Sequence, residues 1–194
     1  GLVFVAFDFE TTGLDPAVDT ITEIGAVRFN LSGTEEEYST LVDPGIPIPD
    51  HITKITGISD AMVTGQMKLR DAFSDFMSFA ANSVLVAHHA PFDAGFLSEK
   101  FRAFGLEQPS NLILDTRIMA KRLLGKLPGY RLDRICSALG ITVPVFHRAL
   151  PDACACRDIF CAMVKSLPDF QSIMLSQLSE KAINLFEQDI NQPV

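Results

Sequence analysis

Apolar residues open the chain in an unbroken run over residues 2–7. A run without polar interruption reads as a strand buried on both faces. Thr11-Thr12-Gly13 then breaks it. Residues 21–30 and 36–42 read as two more strands, joined by a turn around Ser32-Gly33, and the short gap predicts an antiparallel hairpin. Asp43-Pro44-Gly45, Pro47 and Pro49 predict an irregular stretch. From Lys68 the period changes. Leu69, Phe73, Phe76, Met77 and Ala80 fall on one face of a helix. Residues 84–88 read as a short strand, and 91–104 as a helix with Pro91 in its first turn and Gly105 as terminator. A strand at 112–114 and helices at 116–123, 131–139 (ended by Gly140) and 151–166 (stopped before Pro168) follow. Leu175, Leu178, Ala182, Leu185 and Phe186 repeat at helical spacing and predict a final amphipathic helix. Three strands followed by alternating helices and strands predict an α/β fold. Its mixed five-stranded sheet has a three-stranded antiparallel part and a parallel part, flanked by helices.

Composition narrows the class. With 194 residues, 47% of them hydrophobic, the chain has the material for one well-buried core. Global disorder is excluded. No apolar run approaches the ~20 residues that a membrane span needs. The run at 2–7 lacks a basic flank, so no signal peptide is expected there. None of the four cysteines forms a C-x-x-C pair, so structural zinc is not expected and reduced thiols in a cytoplasmic protein are. The net charge of -8 argues against an architectural DNA-binding role, because phosphate affinity comes from Lys and Arg. It leaves room for an enzyme whose acidic site holds divalent cations.

Candidate chemistry gathers at strand-to-helix junctions. Asp8 and Glu10 follow the first apolar run and, as i and i+2 of a strand, share a face. Asp93 lies just after the strand at 84–88, in the first turn of the next helix. His147 and Asp152 flank the start of another. Each acid also has a plain reading, as a solvated strand end or a first-turn acid favoured by the helix dipole. Together they would repel one another strongly unless divalent metal were present, and hard oxygen ligands select Mg²⁺ or Mn²⁺. Two such ions roughly 3.5–4 Å apart suit phosphodiester cleavage, with an imidazole taking the proton of the attacking water. On this reading Asp8, Glu10, Asp93 and Asp152 hold metal and His147 is the base.

Three segments carry a resemblance: Asp8-Phe9-Glu10-Thr11-Thr12-Gly13, His88-His89-Ala90-Pro91-Phe92-Asp93, and His147-Arg148-Ala149-Leu150-Pro151-Asp152-Ala153. In this order they resemble the three motifs of the DEDDh 3′–5′ exonucleases, nearest to the proofreading epsilon subunits of bacterial DNA polymerase III and their stand-alone relatives. The similarity runs from about residue 2 to 167 and includes Ile55-Thr56-Gly57-Ile58, Asp115-Thr116 and Tyr130-Arg131-Leu132. The resemblance implies a ribonuclease H-like fold. It implies that Asp8 bridges two metals, that Glu10 and Asp152 complete the first site, and that Asp93 supports the second. It further implies that His147 activates water and that Thr11, Thr12 and Leu14 contact the terminal nucleotide. His88 is counted with the substrate contacts. His89 departs from the family, which usually has Asn there.

Residues 1–167 are therefore read as an exonuclease domain, and 168–194 as a helical extension packed on it or on a partner. Arg117, Lys121, Arg122, Lys126, Arg131 and Arg134 form the most basic stretch and are candidates for tracking a phosphate backbone. Arg148, beside His147, is the strongest single candidate for a phosphate contact. Glu35-Glu36-Glu37 is expected at an exposed edge or turn. The expected partners are single-stranded nucleic acid 3′ ends and a DNA polymerase, with no membrane. A non-catalytic, polymerase-associated subunit is the alternative. DNA against RNA preference and oligomeric state stay open.

Overall fold

The opening apolar run forms the central strand. In a computed structural model describing residues 2–33 and 35–168, β1 (Phe4–Thr11) pairs antiparallel with β2 (Ile21–Phe29), and β2 with β3 (Glu35–Asp43). On its other side β1 pairs parallel with β5 (Val84–Ala87), and β5 with β6 (Ile113–Asp115). These are the five expected strands. A sixth, β4 (Met67–Lys68), adds two residues in parallel to the end of β3, giving the order β4-β3-β2-β1-β5-β6. Two residues are too few to leave a pattern in the sequence.

Strand alternation divides the core in two. The odd residues Val5, Phe7 and Phe9 join the cluster under α3 (Leu69–Phe79) and α4 (Ala90–Ala103). The even residues Phe4 and Ala6 join the cluster under α5 (Thr116–Leu123), α6 (Leu132–Leu139) and α7 (Ala149–Lys165). Phe4, Phe7, Phe73, Phe76, Phe96 and Phe160 are all fully buried. Each contributes about 1.5–3 kcal/mol relative to exposure, so aromatic packing holds both helical layers to the sheet. Gly105 and Gly140 follow α4 and α6 at φ +64 and +69, as their expected roles require.

Two expectations need correcting. The stretch after Pro44 is not irregular throughout: α1 (Asp50–Thr56) begins directly after Pro49, and α2 (Asp60–Val63) follows Gly57. The prolines punctuate helices there instead of excluding them. Nor does Asp152 lie at a strand-to-helix junction, because α7 follows α6 and a loop. β1 carries Asp8 and Glu10 within the strand, as expected. Its ladder with β2 continues through Asp8↔Gly25, Phe9↔Ile24 and Glu10↔Glu23. Glu35, Glu36 and Glu37 are exposed on the part of β3 that no further strand covers, which discourages edge-to-edge pairing. The predicted final helix and the extension from residue 169 onward lie outside the described residues. Among the described residues, no helix is long and apolar enough to cross a membrane.

Candidate active site

The even row of β1 reads Phe4, Ala6, Asp8, Glu10. It is apolar while it lies beneath α7 and turns acidic at the end where α7 begins. There Asp152, in the first turn of α7, joins it. Asp8, Glu10 and Asp152 each offer an oxygen, all within 4.8 Å of one another. Asp93 arrives from the first turn of α4, and its Oδ1 accepts the Phe9 N–H at 3.1 Å. That amide lies beyond the last β1–β5 pair, Ala6↔Val86, so the shortness of β5 opens the place that Asp93 takes.

The electrostatics follow from burial and like charge. Burial pushes the Asp8 carboxyl well above its usual range, and the charges of Asp93, Glu10, Asp152 and Glu23 push it further. Glu10 is raised to about 8, by burial first and then by Asp152, Glu23 and Asp93. Asp93 rises to about 8, mainly through burial and against the Phe9 amide. Asp152 rises to about 7, again mainly through burial. Its Oδ2 accepts the His147 N–H at 3.0 Å, while its Oδ1 is buried without a hydrogen-bond partner. An orphaned carboxylate oxygen inside a cluster of hard, mutually repelling oxygens is what a divalent cation would satisfy. The donor set therefore fits a metal ion, with Asp8, Glu10 and Asp152 as the residues to hold it.

His147 sits exposed at φ +62, a left-handed conformation unusual for a residue with a Cβ. It borders a cavity of about 310 Å³ whose wall includes His88, His89, Arg117, Tyr130, Arg131 and Phe146. Two of the six basic residues singled out in the sequence, Arg117 and Arg131, thus line the space beside the acids. The expected contacts of the first motif sit in a tight turn. The Thr11 hydroxyl donates to Gly13 O at 2.6 Å, the Thr12 hydroxyl donates to Asp19 Oδ1 at 3.2 Å, and Leu14 stands 81% exposed.

Two expected substrate contacts are engaged elsewhere. Both His88 nitrogens meet protein atoms at 2.9 Å. With the ring neutral, Nε2–H donates to Tyr130 O and Nδ1 accepts from the Thr116 hydroxyl. Burial lowers the His88 pKa to about 4, which keeps the ring neutral. His88 thus ties β5 to the segment before α6. Arg148, expected on a phosphate, is turned onto Glu23: Nη2 reaches Oε1 at 2.7 Å and Nε reaches Oε2 at 3.0 Å. Sequence reasoning missed Glu23 altogether. The available signal was an acid inside an apolar strand at a position that cross-strand pairing sets opposite Glu10. His89 donates its backbone N–H to Asp115, and its ring meets Arg117 Nη1 at 3.1 Å.

Comparison with known proteins supplies independent context. A family profile described as Exonuclease (RNase_T) matches residues 5–160. A DNA polymerase III PolC-type protein of Caldanaerobacter subterraneus subsp. tengcongensis is 37% identical over 188 residues, which is 97% of this chain and 13% of that protein. This chain thus spans about an eighth of the length of such relatives. The DNA polymerase III subunit epsilon of Treponema pallidum is 38% identical over 165 residues, covering 84% of this chain and 77% of the subunit. Among solved structures, exonuclease I superposes with a TM-score of 0.77 at 20% identity, over 88% of this chain and 42% of the other. At that identity the likeness speaks for the fold, the ribonuclease H-like arrangement of a mixed sheet between helical layers.

Proposed function

This chain belongs to the RNase_T exonuclease family, and from that premise we propose that it removes nucleotides from the 3′ end of DNA by metal-dependent phosphodiester hydrolysis. The observation that carries the reading is the meeting of Asp8, Glu10 and Asp152 within 4.8 Å, with His147 hydrogen-bonded to Asp152 through its backbone. Two motifs far apart in sequence meet at one spot, and Asp93, from the remaining motif, adds the fourth acid.

In this reading Asp8, Glu10, Asp93 and Asp152 hold two divalent cations, Mg²⁺ or Mn²⁺. When bound, these supply Lewis-acid stabilisation of the attacking and leaving oxygens. The chain's own residues do the rest. His147, exposed and bordering the cavity, accepts the proton of the attacking water. The turn at Thr11–Leu14 meets the terminal nucleotide, with the exposed Leu14 as its apolar face. Arg117 and Arg131 supply positive charge along the cavity wall for the phosphates that follow. With both ring nitrogens engaged by the protein, His88 serves through the position of its ring and not as a hydrogen-bond donor to substrate. The names of the relatives support DNA as substrate, a polymerase as partner, and a cytoplasmic setting. The non-catalytic alternative has no use for all five residues at one site.

The test is direct. Purified protein with Mn²⁺ and a 3′-labelled single strand releases labelled mononucleotide at once, whereas a 5′-labelled strand shortens stepwise. Absence of mononucleotide from both sinks the proposal. Parallel rates on matched DNA and RNA oligonucleotides decide the substrate class.

A further inference from the structure

Glu23 stands in β2 directly opposite Glu10 in β1, with 3% of its surface exposed. Two like charges paired across strands are unfavourable, and a buried ion pair by itself roughly breaks even in stability. Fold stability alone therefore gives a weak reason for an acid here. Its contacts give a stronger one. Glu23 Oε1 and Oε2 take the Arg148 guanidinium, and Oε2 also accepts the Ala149 N–H at 3.0 Å. Ala149 is the first residue of α7, and the residue before it caps nothing with its own side chain. A carboxylate from another strand thus supplies the cap that the local sequence lacks.

The backbone around this contact is close-fitted. A Cβ added at Gly25, two residues along β2, would lie 2.2 Å from the backbone of Ala149 and Leu150. Only glycine lets the start of α7 come so near the strand. Immediately before the clamp sits His147, held at φ +62 with its N–H on Asp152. A residue in that conformation persists only where its surroundings determine it. Arg148 and Ala149, both fixed by one carboxylate, are those surroundings.

We propose that Glu23 is a positioning residue: through Arg148 and the Ala149 amide it locks the turn that presents His147 beside Asp152. This rests on the exonuclease reading for its consequence, but the clamp itself can be observed without turnover. Glu23→Gln lowers kcat about 10–100-fold, the range for a lost supporting partner, and leaves the KM for an oligonucleotide within about twofold. Arg148→Met does the same, and the double variant is no slower than the worse single one, because both break one device. Arg148→Lys, which keeps the charge, recovers part of the loss. All rates are taken well below each variant's melting temperature, so that unfolding does not mimic the effect. A raised KM with kcat intact in Arg148→Met would return Arg148 to phosphate binding. Multiplying effects, or a wild-type kcat in Glu23→Gln, would overturn the proposal. Amide hydrogen exchange gives the independent arm. Ala149 is protected in the wild type and loses about tenfold or more of that protection in Glu23→Ala, which removes the acceptor; equal protection overturns the clamp. An inactive wild-type protein sinks the exonuclease reading, while this second arm still decides the clamp.

Discussion

The ends of β1 and β6 both carry acids drawn in from solvent, and the two ends are built on opposite principles. At the end of β6, Asp115 is 2% exposed. Its oxygens accept N–H groups from His89, Ala90, Arg117 and Ile118 at 2.8–3.3 Å. It caps α5 and ties in the start of α4. Donors aimed at a carboxylate replace the water it has lost. At the end of β1, Asp8 and Glu10 are surrounded by burial and by other acids, and their protonated forms are favoured. A carboxylate near the C-terminal end of a strand is matched by donors in one case and faced by like charge in the other, an arrangement that a cation would complete. Burial does not distinguish a structural acid from a functional one; the sign of its neighbours does.

The sharpest way to break this contrast is to delete one acid from each end. Asp8→Ala should reduce mononucleotide release to the no-enzyme background in Mn²⁺, while the melting temperature of the metal-free protein does not fall, since a repulsive partner has gone. Activity above a tenth of wild type would mean the β1 cluster is not the reaction centre. Within the same site, His147→Ala should slow release by about 10²–10⁴-fold. Because His147 is not among the cation-binding oxygens, the variant should keep the wild-type rise in melting temperature on adding Mn²⁺. A lost rise would make His147 part of the metal site and remove it from the role of base.

Asp115→Ala should behave in the opposite way. Four backbone donors lose their acceptor, and urea unfolding should report a loss of about 3 kcal/mol. If Asp115→Ala is as stable as wild type while Asp8→Ala is destabilised, the assignment of the two ends must be exchanged.

Much of this was legible before any coordinates. β1, β5 and β6 announced themselves as short apolar runs, and β2 and β3 by the turn at Ser32-Gly33 between them. Asp8, Glu10 and Asp93 announced themselves because each ends or follows an apolar run, whereas Asp152 follows α6 and a loop and was legible only as part of the third motif. What stayed hidden depends on pairing across distance. Glu23 gains its meaning only from the register that sets it opposite Glu10 and from Arg148, 125 residues away. Arg148 read as a free cation beside a histidine, and no local pattern says that its partner lies on β2. His88 read as a site residue because it adjoins the second motif, yet its ring bonds to Thr116 and Tyr130, brought near by the turns leading into α5 and α6. Helix α1 was hidden for a different reason: the same prolines that end strands are also well suited to begin helices.

The smallest effect separates the two ends by pH. In the unfolded chain these carboxyls titrate near ~4. Folded and without metal, Glu10 and Asp93 hold their protons to about 8 and Asp152 to about 7. Between these limits the folded state binds more protons than the unfolded one, so stability falls as pH rises. The contribution is fully present below pH ~4 and is lost as pH passes through 7 to 8. Divalent cation acts in the other direction, because it binds the deprotonated carboxylates. The metal-free melting temperature should therefore decline from pH 5 to pH 8, and the rise on adding Mg²⁺ should grow over the same interval. At ten times Kd that rise corresponds to roughly 1.4 kcal/mol. Asp8→Asn should flatten both trends, whereas Asp115→Asn should lower the curve through the donors it leaves unmatched. A metal-free curve that is level across this interval would show that the β1 acids are compensated without any cation, and the distinction from Asp115 would collapse.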